Sequence, residues 1–391
     1  MMTLVKDYAE QIRGVSYKPE DVCEELNDES ITLLRANNIT DSGLCFDDLV
    51  YVRRNKVKDV QKLQKGDVLI CTSSGSKALV GKAAYVTKDL DMTFGAFCKV
   101  IRPHGVNADY FQYFFQSPAY RKRISELAAG ANINNIRNEH IDELAFYPPD
   151  IPTQQRIADT LDKVSEGITL CRKMVDELDL MVKTKFVEMF GDYAINPKHW
   201  NLKCLEDIAE VGSSKRVFVE ELQETGIPFY RGTEVGALAE GKNIEPELFI
   251  TEEHYNKLCE ATGKPQIGDL LMPSICPDGR IWVVNTDKPF YFKDGRVLWV
   301  HSIVSDYNPV FLLYALKDRI MSDYSSIASG TTFAELKIFA LKKCRIFEVP
   351  LELQNQFVAF AAEIDKSKLT IQKILDKMEM EKLALMQKYF A

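Results

Sequence analysis

The chain has 391 residues, 46% of them hydrophobic, and carries 49 Lys and Arg against 57 Asp and Glu, a formal net charge of −8; that is enough for two or three cores at roughly 100–200 residues per domain. No apolar run approaches the roughly 20 residues of a membrane span, and residues 1–14 lack the apolar stretch and cleavage site of a secretory leader, so a cytoplasmic protein with no membrane partner is expected. Nine scattered cysteines, odd in number and never spaced C-x-x-C, argue against a disulfide framework and a zinc site, while the acidic total argues against a uniformly basic nucleic-acid binder.

In chain order, the first feature is a turn bearing an arginine, Leu34-Arg35-Ala36-Asn37-Asn38-Ile39. A Gly-Asp pair, Gly66-Asp67, then opens a β-prone run at Val68–Cys71, followed by strand-like runs at Ala83–Val86 and Phe97–Ile101. Residues 107–127 read as a helix interrupted at Pro118, with Tyr110, Phe111, Tyr113, Phe114 and Phe115 at core-packing spacing. After Pro152 the residues Ile157, Leu161, Val164, Ile168, Cys171, Val175, Leu178 and Val182 alternate in steps of four and three, the seam of a coiled coil, and Gly191 supplies a stop. Such a helix over 153–190 would measure about 57 Å, far more than one module needs for its own core.

The pattern then repeats. Phe229-Tyr230-Arg231-Gly232-Thr233 echoes the first turn, Gly268-Asp269 echoes Gly66-Asp67, Tyr314 echoes Tyr113, Gly330 echoes Gly130 and Pro350 echoes Pro152, in the same order at offsets between 196 and 202 residues. Strands are expected at Leu270–Met272, Ile281–Asn285 and Val297–Val300, and a helix at Pro309–Met321. The last helix carries Phe357, Ala361, Ile364, Ile371, Leu375, Met378 and Leu385 on one seam, interrupted by Lys368 and Lys382. The fold class is therefore α+β: two tandem modules, 1–150 and 191–348, with long helices at 151–190 and 349–391 forming an antiparallel coiled coil.

No phosphate-binding glycine loop, dinucleotide turn, H-E-x-x-H or G-x-S-x-G sequence is present, and no methyltransferase motif. Asp278, Glu335 and Lys337 imitate the carboxylate–lysine set of metal-dependent nucleases, at loose spacing. A non-catalytic chain with neither metal nor cofactor of its own is expected.

Taken as an ordered set that occurs twice, these motifs resemble the specificity subunit of type I restriction-modification systems over nearly the whole chain. The resemblance carries the arginine turn, the Gly-Asp strand, the late glycine loop at 130–136, and the entries to the long helices at Ile151-Pro152-Thr153-Gln154-Gln155 and Val349-Pro350-Leu351-Glu352-Leu353-Gln354. It implies two target-recognition domains, each reading one half of a split, asymmetric sequence in double-stranded DNA. It also implies helices that set the spacing and dock two methyltransferase subunits, with motor-nuclease restriction subunits as further partners. Adenosylmethionine, ATP and Mg²⁺ would then belong to those partners.

Base edges are read by Arg, Lys, Asn, Gln, Ser and Thr. The candidates in the first module are Arg35, Asn37, Asn38, Ser73, Ser74, Ser76, Lys77, Lys82, Asn132, Asn134, Asn135 and Arg137; in the second they are Arg231, Thr233, Ser274, Arg280, Thr331, Thr332 and Lys337. The same residue types also cap helices and shape turns. A protein–protein scaffold with duplicated modules, and a self-sufficient nuclease built on Asp278, Glu335 and Lys337, stand as alternatives.

Overall fold

The computed structural model describes residues 3–40, 43–76, 78–129, 135–329 and 334–390. It divides into two compact units, Met1–Met174 with Ile371–Ala391, and Val175–Thr370. Each holds one α+β module and one half of each long helix, Ile151–Phe190 and Leu351–Phe390, which span 40 residues apiece.

In the first unit one sheet is antiparallel throughout, in the order Ala9–Arg13, Cys98–Pro103, Val68–Cys71, Ala83–Tyr85. Val68–Cys71 is buried at every residue, as suits an inner strand without polar alternation. A second sheet runs Val22–Cys23, Val50–Arg53, Ser30–Leu34, Met92–Phe94, its last pair parallel. The aromatic run forms the helix Ala108–Phe114. Ser117 accepts from the amide of Tyr120, and a second helix restarts at Pro118, where proline's missing N–H is harmless.

The second unit repeats this design. Its antiparallel sheet runs Glu210–Gly212, Val297–His301, Leu270–Pro273, Trp282–Val283, and its other sheet runs Phe249–Ile250, Ile227–Tyr230, Tyr291–Phe292, again with a parallel last pair. The Gly-Asp motif has one physical cause in both units. Gly66 and Gly268 take φ of 94° and 96°, a left-handed conformation that favours glycine. The aspartate then turns back to accept from the amide of Gln64 at 2.9 Å or of Gln266 at 2.8 Å.

The long helices meet antiparallel inside each unit. In the first, Val164, Ile168 and Cys171 pack on Ile371, Leu375, Met378 and Leu385, and Gly167 leaves room for the Met378 thioether. Arg172 ties across to Glu379 at 2.7 Å. Ile157 and Leu161 instead enter the module core beside Met386 and Phe390. In the second unit Leu178 and Val182 join Phe357, Ala361 and Ile364 in the module core, while Val175 is half-buried. The seam is thus helix on helix in its middle and helix on module toward its ends. Both lysines that interrupt it have uses: Lys368 bonds Asp179 at 2.6 Å, and Lys382 lies over the Tyr113 ring at 5.7 Å.

One equivalence moves. Gln154 accepts from the Asn107 amide at 2.8 Å and donates to the Pro149 carbonyl; Gln354 accepts from the Asn308 amide at 2.8 Å and donates to the Val349 carbonyl. These buried glutamines, 200 positions apart, align the helix entries better than Pro152 with Pro350. Pro152 lies inside its helix and Pro350 just before its own.

Candidate nucleic-acid interface

In the first unit the strand Ser30–Leu34 delivers Arg35 into a short 3-10 turn, Ala36–Asn38. The Arg35 Nη2 donates to both the backbone carbonyl and the carboxylate of Asp48, at 2.9 and 2.7 Å, and Asn37 donates to the same carboxylate at 2.9 Å. The Arg35 Nε is shielded from solvent and has no acceptor among the described residues. A donor buried without a partner costs about 1–3 kcal/mol, which an incoming acceptor would relieve. Asn38, by contrast, is fully buried, accepting from the Arg35 amide at 2.8 Å and donating to the carbonyls of Cys45 and Asp47. It shapes the turn and presents nothing outward, because all its polar capacity goes to backbone.

Arg35 and Asn37 share an open cleft of about 790 Å³ with Ser73, Ser74, Gly75, Tyr17 and Phe97. Two motifs far apart in sequence, the arginine turn and the serine loop, are therefore brought to one place. Asn135 borders it through a β-bridge to Ser73. Phe97 was expected only as a strand residue; it stands 70% exposed in the cleft, immediately before the strand Cys98–Pro103. Ser76 is exposed, its amide donating to Ser74 Oγ. Arg137 is exposed at the start of the helix Asn138–Asp142. Lys82 lines a different cavity, with Tyr85, Arg121 and Lys382. Lys77, Asn132 and Asn134, like Gly130, lie outside the described residues.

In the second unit Arg231 starts the helix Gly232–Ala239 and is held by Glu234 and by Glu247, the latter at 3.0 Å. Thr233 also donates to Glu234, at 2.9 Å. Burial pushes the Glu234 carboxyl upward, but hydrogen bonds from the Arg231 side chain and amide outweigh it and bring it down to about 2. Arg280 reaches Asp278 at 2.8 Å and lies against Gly236. Ser274 is buried, its amide donating to the Arg296 carbonyl and its carbonyl accepting from Leu336; it is a framework residue. Thr331 and Thr332, like Gly330, lie outside the described residues.

The nuclease-like set does not form a metal cage. Asp278 is engaged by Arg280, and Glu335 by Arg296 and by Lys337 at 3.5 Å. Among the described residues no group of three His, Cys, Asp or Glu side chains is placed to hold a metal ion, and no helix there is long and apolar enough to cross a membrane. What the two surfaces offer is hydrogen-bonding side chains, the groups that meet base edges and phosphates.

Residues 16–179 and 197–380 each match the family model described as type I restriction modification DNA specificity domain. The chain is 38% identical over 173 residues to the type I restriction enzyme StySPI specificity subunit of Salmonella potsdam, covering 44% of this chain and 37% of that protein. It is 37% identical over 188 residues to the EcoKI specificity subunit of Escherichia coli strain K12, covering 48% and 40%. Each match thus spans about two fifths of the relative's length. Among solved structures, the S subunit of a type I restriction-modification system from M. genitalium aligns over 100% of this chain and 96% of its own, with a TM-score of 0.53 at 15% identity. A chain from a study of type I R-M complex assembly and conformational transition aligns over 100% and 97%, with a TM-score of 0.54 at 16% identity. Both are likenesses of fold.

Proposed function

Since the chain belongs to the type I restriction modification DNA specificity domain family, we propose that it is the non-catalytic specificity subunit of such a complex in the cytoplasm. Each module reads one half of a bipartite, asymmetric target in double-stranded DNA. The paired helices set the spacing and dock two methyltransferase subunits. Adenosylmethionine, ATP and Mg²⁺ act on those subunits and on any motor-nuclease subunits that join them.

The observation that supports this most is a framework whose central sheet order, Gly-Asp turns and glutamine-held helix entries occur twice, and on which the outward residues differ. Arg35, Asn37, Ser73 and Ser74 line the cleft of one unit; Arg231, Thr233, Arg280 and Lys337 stand near the corresponding turn and strand of the other. Two readers of one construction with different contact groups recognise two different half-sites, so the target is not a palindrome. The acidic chain and its carboxylate-held arginines leave much of the phosphate contact to partner subunits.

The test replaces residues 191–348 with the matching module of a relative, expresses the chain with its methyltransferase partner, and maps methylated sites across the host DNA. One half of the split motif is expected to change and the other to persist. A folded complex that methylates with no split motif, or whose halves both change, would overturn the reading.

A further inference from the structure

Phe97 and Arg296 occupy the same position in the two units. Each is the last residue before a sheet strand, Cys98–Pro103 or Val297–His301. The Phe97 carbonyl accepts from the Thr72 amide at 2.9 Å and the Arg296 carbonyl from the Ser274 amide at 2.9 Å. Thr72 and Ser274 then accept from Ile136 at 2.8 Å and Leu336 at 2.7 Å. Phe97 is pinned further by the Ser73 amide and the Thr72 hydroxyl, both at 3.1 Å.

Backbones so firmly held carry side chains that are mostly in solvent, Phe97 at 70% and Arg296 at 55%. A large apolar ring gains nothing from that exposure in the isolated chain, and the cleft it enters sets Val15, Tyr17 and Leu79 beside the polar Arg35, Asn37, Ser73 and Ser74, so it offers an incoming base both apolar and hydrogen-bonding contact. Arg296 is steadied at Nη1 by Glu335, and its side chain stays more than half exposed.

Resting on the reading above, we propose that this position is a specificity-determining pair: Phe97 packs on a thymine 5-methyl group in one half-site, and Arg296 donates to guanine O6 and N7 in the other. Those are the major-groove features that match an apolar ring and a planar two-pronged donor. The backbone fixes where the side chain meets the groove, and its chemistry selects the base pair.

The full chain in complex with its methyltransferase partner is titrated with synthetic duplexes of the mapped target. Deoxyuridine replaces each thymine of the half assigned to the first module, and 7-deazaguanine replaces each guanine of the other. One deoxyuridine is expected to weaken binding about fourfold, the worth of one buried methyl, and to have no effect on the Phe97→Ala complex. One 7-deazaguanine is expected to weaken binding about five- to 150-fold, and to have no effect on the Arg296→Ala complex. Phe97→Arg, a substitution at an exposed site, is expected to move one position of the methylation map from thymine to guanine and to leave the other half intact.

A first half-site without thymine, or deoxyuridine effects that survive in Phe97→Ala, would overturn the Phe97 assignment. So would a duplex kinked by the wild-type complex with no dependence on the methyl group, the mark of a wedge rather than a methyl contact. A wild-type complex with no split target at all would instead sink the specificity reading itself.

Discussion

Asn38 and Glu234 stand at the same step of their two units, each accepting from the amide of the preceding arginine, Arg35 or Arg231, at 2.8 Å. The amide in the first unit is spent on backbone, whereas the carboxylate in the second also grips the arginine side chain. Asp67 and Asp269 form a second such pair. Asp67 takes two bonds from the Arg102 guanidinium at 2.8 Å, while Asp269 takes one from the Trp299 indole at 2.9 Å. The duplication has therefore kept the bonds these side chains make to backbone amides and varied the other partners they take. Outward side chains can differ on such a framework because few of them hold it up.

The sharpest way to break that comparison is to delete the aspartates. Asp67→Ala leaves the Arg102 charge largely buried without its partner and is expected to cost about 3–5 kcal/mol. Asp269→Ala orphans only neutral donors, the Trp299 indole and the Gln266 amide, and is expected to cost about 1–3 kcal/mol. All three tryptophans, Trp200, Trp282 and Trp299, lie in the second unit. Urea melts of the full chain followed by fluorescence therefore report that unit, and hydrogen exchange reports the first. Equal losses would mean that the ion pair is no stronger a prop than the indole.

The glutamines test the shared part of the design. Gln154→Ala and Gln354→Ala each strand the half-buried amide of a helix-capping asparagine, Asn107 or Asn308, and are expected to lower stability about equally, by roughly 1–3 kcal/mol. A large effect in one unit alone would show that the repeated bonds do not bear repeated loads.

The smallest expected effect is on pH dependence. Glu234 has its folded value depressed to about 2, below the roughly 4.3 of an unfolded glutamate. The stabilisation it contributes is complete above the unfolded value and fades as pH falls from there toward 2. Asn38 does not titrate, so Glu234→Gln is expected to flatten the acid limb of the second unit's fluorescence melts and leave exchange protection in the first unit unchanged. No flattening would mean that Arg231 gains nothing from the charge.

The duplication was legible because its markers are forced locally: a left-handed glycine before an aspartate, and a four-three apolar rhythm, leave few other readings. The edge strands Ala9–Arg13 and Glu210–Gly212 escaped notice because they are short and mix polar with apolar residues. The parallel pairing of Ser30–Leu34 with Met92–Phe94 escaped because its partners lie some 60 residues apart and no local pattern announces them. Asn38 and Ser274 were candidates by chemistry, yet both are buried, the Asn38 amide serving the backbone of its own turn and the Ser274 backbone linking Arg296 with Leu336, which only packing reveals. Phe97 was hidden by its own β-propensity. Its equivalence with Arg296 rests on backbone hydrogen bonds and not on the flanking sequence, which differs between the two units.

The division of the first unit between residues up to Met174 and those from Ile371 onward has a consequence for synthesis. Met386 and Phe390 close its core, with the Phe390 ring 5.0 Å from that of Tyr110. On a ribosome adding about 5–20 residues per second, the intervening stretch of nearly 200 residues takes roughly 10–40 s to appear. Through that interval the earlier-made module waits with an aromatic core uncovered, while the later-made one draws on a single unbroken stretch and can finish first. The module made first is thus the one whose core is completed last.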